Sequence, residues 1–290
     1  MRTTSFGDRL FFGLNYGLLA LIALTCLLPL LHIASLSLSH TQEILSGRVT
    51  FWPVGWNTDA FTSMIEGTRM LSAFRNSVVI TVVGVALSML VTILTAYPLS
   101  RKLFPGRRYV TLAMIFTMMF TGGMIPTYLI VKIFGLMNSY WALWIPALVN
   151  TYNMLVMKTY FENIPDELEE AGKMDGCGQW RQLLQIILPL SKPVLATITL
   201  FYAVSYWNSF FNVMLYINES AKYNLAVLVQ NMIQNQQLLQ EIVLTGAQVE
   251  VVPESLKAAS VMIMMLPMIV IYPFLQKYFV KGVMLGAVKG

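Results

Sequence analysis

The stretch NIPDELEEAGKMDGCGQWRQLLQIILPLSKP, residues 163–193, gathers the side chains of this chain that could do chemistry. Asp166, Glu167, Glu169 and Glu170 put four carboxylates within five positions, and Asp175 follows. Paired carboxylates can act as acid and base, but this chain supplies no Ser/His/Asp constellation beside them. No G-x-x-x-x-G-K segment exists to cradle ATP phosphates. The two histidines, His32 and His40, lie near an expected membrane interface and form no His/Cys metal cluster. Catalysis, nucleotide binding and metal binding are therefore not expected, and recognition is what remains for the carboxylates.

The elements that must present them follow from the local sequence. Pro165 suits a first helical turn, where its missing N–H costs nothing. Asp166 and Glu167 then meet the positive end of the helix dipole. Gly176 and Gly178 break the run, and a second helix resumes near Gln179 with Trp180, Leu183, Leu184, Ile187 and Leu188, closed by Pro189 and Pro193. Ala171 and Gly172 are small enough to let another surface come close, and Leu168 and Met174 add apolar area. Such a knob fits a groove on another protein, or is an interfacial helix pair that only seals a bundle.

Around it the chain is membrane-like. Of its 290 residues 57% are hydrophobic and 11% charged, with mean hydropathy +0.65, against about 25% charged in soluble domains. We expect an all-α polytopic membrane protein, one domain over 1–290. Its six spans fall at about 11–34, 76–99, 110–133, 140–160, 194–216 and 258–279, each near the roughly 20 residues that cross the hydrocarbon core. Barrel strands would be shorter and alternating. The first span has no small-residue cleavage site after it and is not expected to be a removed signal. Arg101, Lys102, Arg107 and Arg108 follow the second span without an acid, which puts that side in the cytoplasm. Alternation places both termini and residues 163–193 there too, with 217–257 outside. Cys26 and Cys177 sit in different environments and should not pair. The formal charge of +5 is explained by topology and needs no nucleic acid.

Polar groups inside spans are expensive and often face a watery path. The fifth span carries Tyr202, Tyr206, Asn208, Phe211 and Asn212, which could stack on sugar rings and bond hydroxyls, or could be glue between helices. Lys132, near the outer end of the third span, could snorkel or meet an anionic sugar. Gly122-Gly123 and Pro126 predict a helix interruption that lines a path or merely packs. Trp52 and Trp56 suit an interface. Residues 225–233 have amphipathic helical spacing, on the membrane or under a partner.

Glu170-Ala171-Gly172, three residues, Gly176, nine residues, then Ile186-x-Leu188-Pro189 resembles the EAA loop of bacterial ABC importer permeases, departing only at Gly172 for Ala. Trp207-Asn208 and the tail QKYFVKGVMLGAVKG are similar to the carbohydrate-uptake, MalG-like subfamily. GGMIPTYLIVKIFGL and TTSFGDRLFFGLNY resemble its LplC/YtcP-type oligosaccharide branch. The resemblance implies the type I importer permease fold in the bacterial cytoplasmic (inner) membrane. It implies a coupling helix, with Glu169, Glu170, Ala171, Gly172, Asp175 and Gly176, seated in a cytoplasmic ATPase that binds the ATP and magnesium. It further implies a second permease subunit, two ATPase copies, an external solute-binding protein and an oligosaccharide substrate, uronate-containing ones included. A loop at Thr245, Gly246, Ala247 and Gln248 would probe the binding protein's mouth. A secondary transporter would instead need a charged relay in the spans, which hold few ionisable groups. A membrane scaffold or assembly factor would lack a neighbouring ATPase.

Overall fold

The computed structural model describes residues 6–234 and 251–287, and all regular structure in them is helical. The described residues fall into two compact units, one of 6–70 with 229–234 and 251–266, and one of 71–228 with 267–287.

In the first unit, α1 (Phe6–Ser37) runs 32 residues. Its apolar part, Leu10–Ser37, is long enough to cross a membrane, and none of its most apolar window is buried within the chain. The short helices α2 (Thr41–Leu45) and α3 (Asp59–Gly67) follow. The connection between them is tied back to the end of α1. The His40 amide donates to the Val54 carbonyl at 3.1 Å, the Asn57 amide to that of Leu38 at 2.9 Å, and His32 Nδ1 to that of Thr50 at 2.7 Å. Buried Ser39 accepts from the Val54 amide while donating to the Ser35 carbonyl. Trp52 and Trp56 remain 79% and 76% exposed, the placement that interface or partner contact requires.

The second unit is organised on α4 (Met70–Ser100), a single helix long and apolar enough to span. It packs on α7 (Trp141–Trp144), α8 (Thr151–Glu162) and α12 (Lys192–Trp207) through a core that includes Ile80, Trp144, Met154, Met157, Phe161, Ile198 and Tyr206. Polar side chains stitch these apolar surfaces. The Trp144 indole donates to the Ile80 carbonyl at 3.1 Å, and the Tyr206 and Tyr202 hydroxyls lie 2.9 Å from Ser88 Oγ and 2.8 Å from Thr92 Oγ1. In a solvent without water, pairing such groups avoids a penalty of several kcal/mol each. At the opposite end of the unit Asn138 takes a left-handed conformation, φ 58, and accepts from the amides of Asn218 and Glu219. Glu219 in turn pairs with Lys222 at 2.6 Å, which holds its carboxyl below the usual range.

Three of the expected spans are not continuous helices. Residues 110–133 form α5 (Arg107–Met119) and α6 (Met124–Ile133), bent by 112° at a break that contains Gly122-Gly123. Residues 140–160 split into α7, a 3₁₀ turn at Ile145–Ala147 and α8. Pro146 has no N–H to continue the first piece, and Asn150 starts the last by accepting from the Asn153 amide at 3.1 Å. Residues 194–216 end their first helix at Trp207 and restart as α13 (Phe210–Tyr216). There the Asn208 and Ser209 side chains bond back to the carbonyls of Val204 and Tyr206, competing with the backbone ladder. Residues 217–257, expected outside, contain α14 (Leu225–Gln234), whose Leu225 and Met232 are buried rather than laid on a surface. The last long helix is α15 (Pro253–Ala287), of which Pro253–Pro273 is apolar enough to span.

Candidate functional site

Residues 163–193 form the expected helix pair. The first helix, α9 (Asp166–Met174), carries Asp166, Glu167 and Glu169 in its first turn and Lys173 in its last, matched to its dipole. Its end is a Schellman motif. The Gly176 amide donates to the Lys173 carbonyl at 3.0 Å and the Cys177 amide to that of Gly172 at 2.9 Å. Gly176 takes φ 74 there, a conformation that costs an L side chain about 1–2 kcal/mol. Beyond Gly178 the chain continues as α10 (Gln179–Gln182), a π-helical turn at Leu183–Ile187 and α11 (Leu188–Leu190), then bends by 83° into α12.

Side chains fasten the pair together. Gln182 is buried, and its amide donates to the carbonyls of Glu169 and Cys177, both at 3.3 Å. Gly172 is buried against Ile186; a Cβ there would sit 2.8 Å from Ile186 Cδ1. The departure from Ala at this position is thus matched to the isoleucine that opens the Ile186-x-Leu188-Pro189 part of the motif.

The carboxylates divide by face. Glu169 is turned inward and forms an ion pair with Arg101, whose guanidinium lies 4.6 Å from the centre of the Tyr97 ring. Glu169, expected among the coupling residues, shares the buried side of α9 with Gly172, three positions on. Glu170, Ala171 and Asp175 are exposed, and so are Leu168 and Met174, the latter at 89%. At the start of α9, Asp166 accepts from Lys102 Nζ at 2.8 Å; this bond holds the Asp166 carboxyl below its ordinary 3.8 and lifts Lys102 above 10.5. A cavity of about 760 Å³ opens between the end of α4 and the helix pair, lined on its apolar side by Leu94, Leu103, Phe104 and Trp180.

Sequence reasoning reaches Arg101 only as a topology marker and does not single out Gln182. The signal that could have found Arg101 is that it is the first cation after an apolar span, with a carboxylate available on the small-residue face of α9.

The six path candidates do not come together. Tyr202 and Tyr206 are buried, with hydroxyls committed to Thr92 and Ser88, and the Asn150 amide also donates to Tyr202. The ring of Tyr206 also lies on Gly84, where a Cβ would meet it at 2.8 Å. Asn208, Phe211 and Asn212 are exposed at the α12–α13 break, and Lys132 is exposed in the last turn of α6. Thr245, Gly246, Ala247 and Gln248 lie outside the described residues. Among the described residues no cluster of His, Cys, Asp or Glu could hold a metal ion, and Cys26 and Cys177 are free thiols.

Residues 77–285 match the family described as binding-protein-dependent transport system inner membrane component. Two relatives from Bacillus subtilis (strain 168) are each 40% identical to this chain. The polygalacturonan/rhamnogalacturonan transport system permease protein YtcP is matched over 98% of this chain and 99% of its own length. Protein LplC is matched over 100% and 98%. Among solved structures, a chain of a bacterial ABC transporter involved in the import of the acidic polysaccharide alginate is similar at TM-score 0.88 and 32% identity, over 96% of this chain and 100% of that one.

Proposed function

This chain belongs to the family of binding-protein-dependent transport system inner membrane components, and from that premise we propose that it carries oligosaccharides, acidic ones included, through the membrane as one subunit of an ATP-driven importer. The observation that supports this most is α9. It is a capped, internally braced helix that holds Glu170, Ala171, Met174 and Asp175 outward, as a coupling element must. The likeness over nearly the whole length to permeases named for polygalacturonan/rhamnogalacturonan and for alginate points the substrate toward uronate-bearing chains.

The full assembly in this reading has a second permease subunit, two ATPases that bind the ATP and magnesium, and an external binding protein. Six crossings, three of them interrupted, put both termini and α9 in the cytoplasm. Closure of the ATPase pair would move α9 and swing the helices between inward- and outward-open states. Asn208, Phe211 and Asn212 would then face the sugar, with Lys132 near the mouth to attract carboxylates, and the loop at Thr245–Gln248 would meet the binding protein.

The test is to tag this chain, express it with the genes beside its own, and identify what copurifies from membranes. A second permease and an ATPase in one complex are expected. Purification alone, together with ATP-independent sugar uptake by the single chain, would point to a secondary transporter instead.

A further inference from the structure

Helix α9 has two attachments to the rest of its unit. One is covalent, at both ends: back through residues 163–165 to α8, and onward through α10 and α11 into α12. The other is the Arg101–Glu169 pair, which joins α9 to the residue directly after α4. Two ion pairs span this junction, and their surroundings separate them. Lys102 and Asp166 are 76% and 63% exposed, so salt and water weaken their attraction. Arg101 and Glu169 are 17% and 11% exposed, where screening is weak. Glu169 is the one carboxylate within ion-pair distance of Arg101 among the described residues, with Asp166 acting on it from farther away, and the Arg101 Nε and Nη2 are buried without a hydrogen-bond partner. Its charge is therefore balanced chiefly by Glu169. Further along α4, Ser88 and Thr92 bond Tyr206 and Tyr202 of α12.

We propose that Arg101 and Glu169 are positioning residues that make α9 move as one body with α4, so that a displacement of α9 reaches the α4–α12 pair from two sides at once. The inference rests on the reading of α9 as a coupling element. Loss of the pair leaves α9 held by its chain links to α8 and α12, without its buried link to α4. The helix still forms, because its Schellman end and the Gln182 bonds do not involve Arg101, but its displacement no longer drives α4.

The experiment uses the purified complex with its ATPases and binding protein in proteoliposomes, with Cys26 and Cys177 first replaced by serine. Three forms are compared with the parent: Glu169→Gln, the exchange Arg101→Glu with Glu169→Arg, and a double cysteine form joined by a short bifunctional thiol reagent. For Glu169→Gln we expect normal assembly, normal basal ATP hydrolysis, and sugar uptake per ATP lower by about tenfold, within the usual range for coupling between sites. The exchange should restore part of that loss, and the cross-link should restore more of it than the unlinked cysteines retain. Unchanged uptake per ATP in Glu169→Gln overturns the proposal. So does a cross-linked form that hydrolyses ATP but does not transport, since the pair would then have to open in each cycle. Should Glu169→Gln fail to assemble, the cross-linked form alone decides between these results. A parent complex without sugar-stimulated hydrolysis would sink the functional reading itself, which distinguishes the two failures.

Discussion

At the residue scale, α9 rests on a few positions whose neighbours set what they tolerate. Gly176 has open space around it, so a side chain there meets no neighbour and pays only for the left-handed backbone, about 1–2 kcal/mol. Gly176→Leu should therefore leave the subunits assembled while altering the turn, and sugar-stimulated ATP hydrolysis should fall; stimulation at the parent level would contradict this. Gly172 is the reverse case. An added Cβ is close only to the far end of Ile186, which can rotate away, and makes ordinary contact with Gln182 at 3.7 Å, while alanine regains about 1 kcal/mol of helix propensity. Gly172→Ala should transport within about twofold of the parent, whereas Gly172→Leu should prevent the α9–α10 contact and lower the yield of assembled complex. The Lys102–Asp166 pair adds no pH dependence near neutrality. Its carboxylate is depressed, so that contribution is present above 3.8 and lost as pH falls through the lower folded value. Its ammonium is raised, so that contribution is present below 10.5 and lost only above it.

At the element scale, the contact of α4 with α12 repeats over one turn. Ser88 and Thr92 are four residues apart and meet Tyr206 and Tyr202, also four apart, while Gly84 lets the Tyr206 ring approach. Gly84→Leu should force these helices apart and reduce the membrane-inserted yield several-fold, a cost of overpacking of about 1–3 kcal/mol. Cysteines at the same contact separate packing from path. In a parent without Cys26 and Cys177, Asn212→Cys should react with an aqueous thiol reagent and be protected by substrate, and Tyr206→Cys should stay unreacted. Labelling of both at equal rates would return Tyr206 to the path. The sequence showed a polar, aromatic segment at 202–212 but not which faces turn inward, because apolar residues surround the whole helix and leave no periodic contrast. For the same reason the break at Asn208 was read through as one span, since it depends on side chains bonding back to Val204 and Tyr206 rather than on proline or glycine. The break at Gly122-Gly123 was legible because glycine marks it directly.

At the scale of the whole molecule, long apolar runs made α1, α4 and α15 readable, since length and hydropathy alone decide a span. The EAA-like spacing made α9 readable, because its glycine, small residues and carboxylates each meet a backbone or dipole requirement. Arg101 was not readable as the partner of Glu169, because the two are brought together by packing across 68 positions of sequence. In the proposed function, ATP hydrolysed by partner subunits drives acidic oligosaccharides through this chain by way of α9. The most direct measurement is uptake of labelled oligogalacturonide into proteoliposomes that hold the full complex, with binding protein outside and ATP inside. Accumulation should need both ATP and the binding protein, and Gly176→Leu should reduce it while the complex stays intact. Accumulation driven by an ion gradient without ATP, or unaffected by Gly176→Leu, would contradict the proposed function.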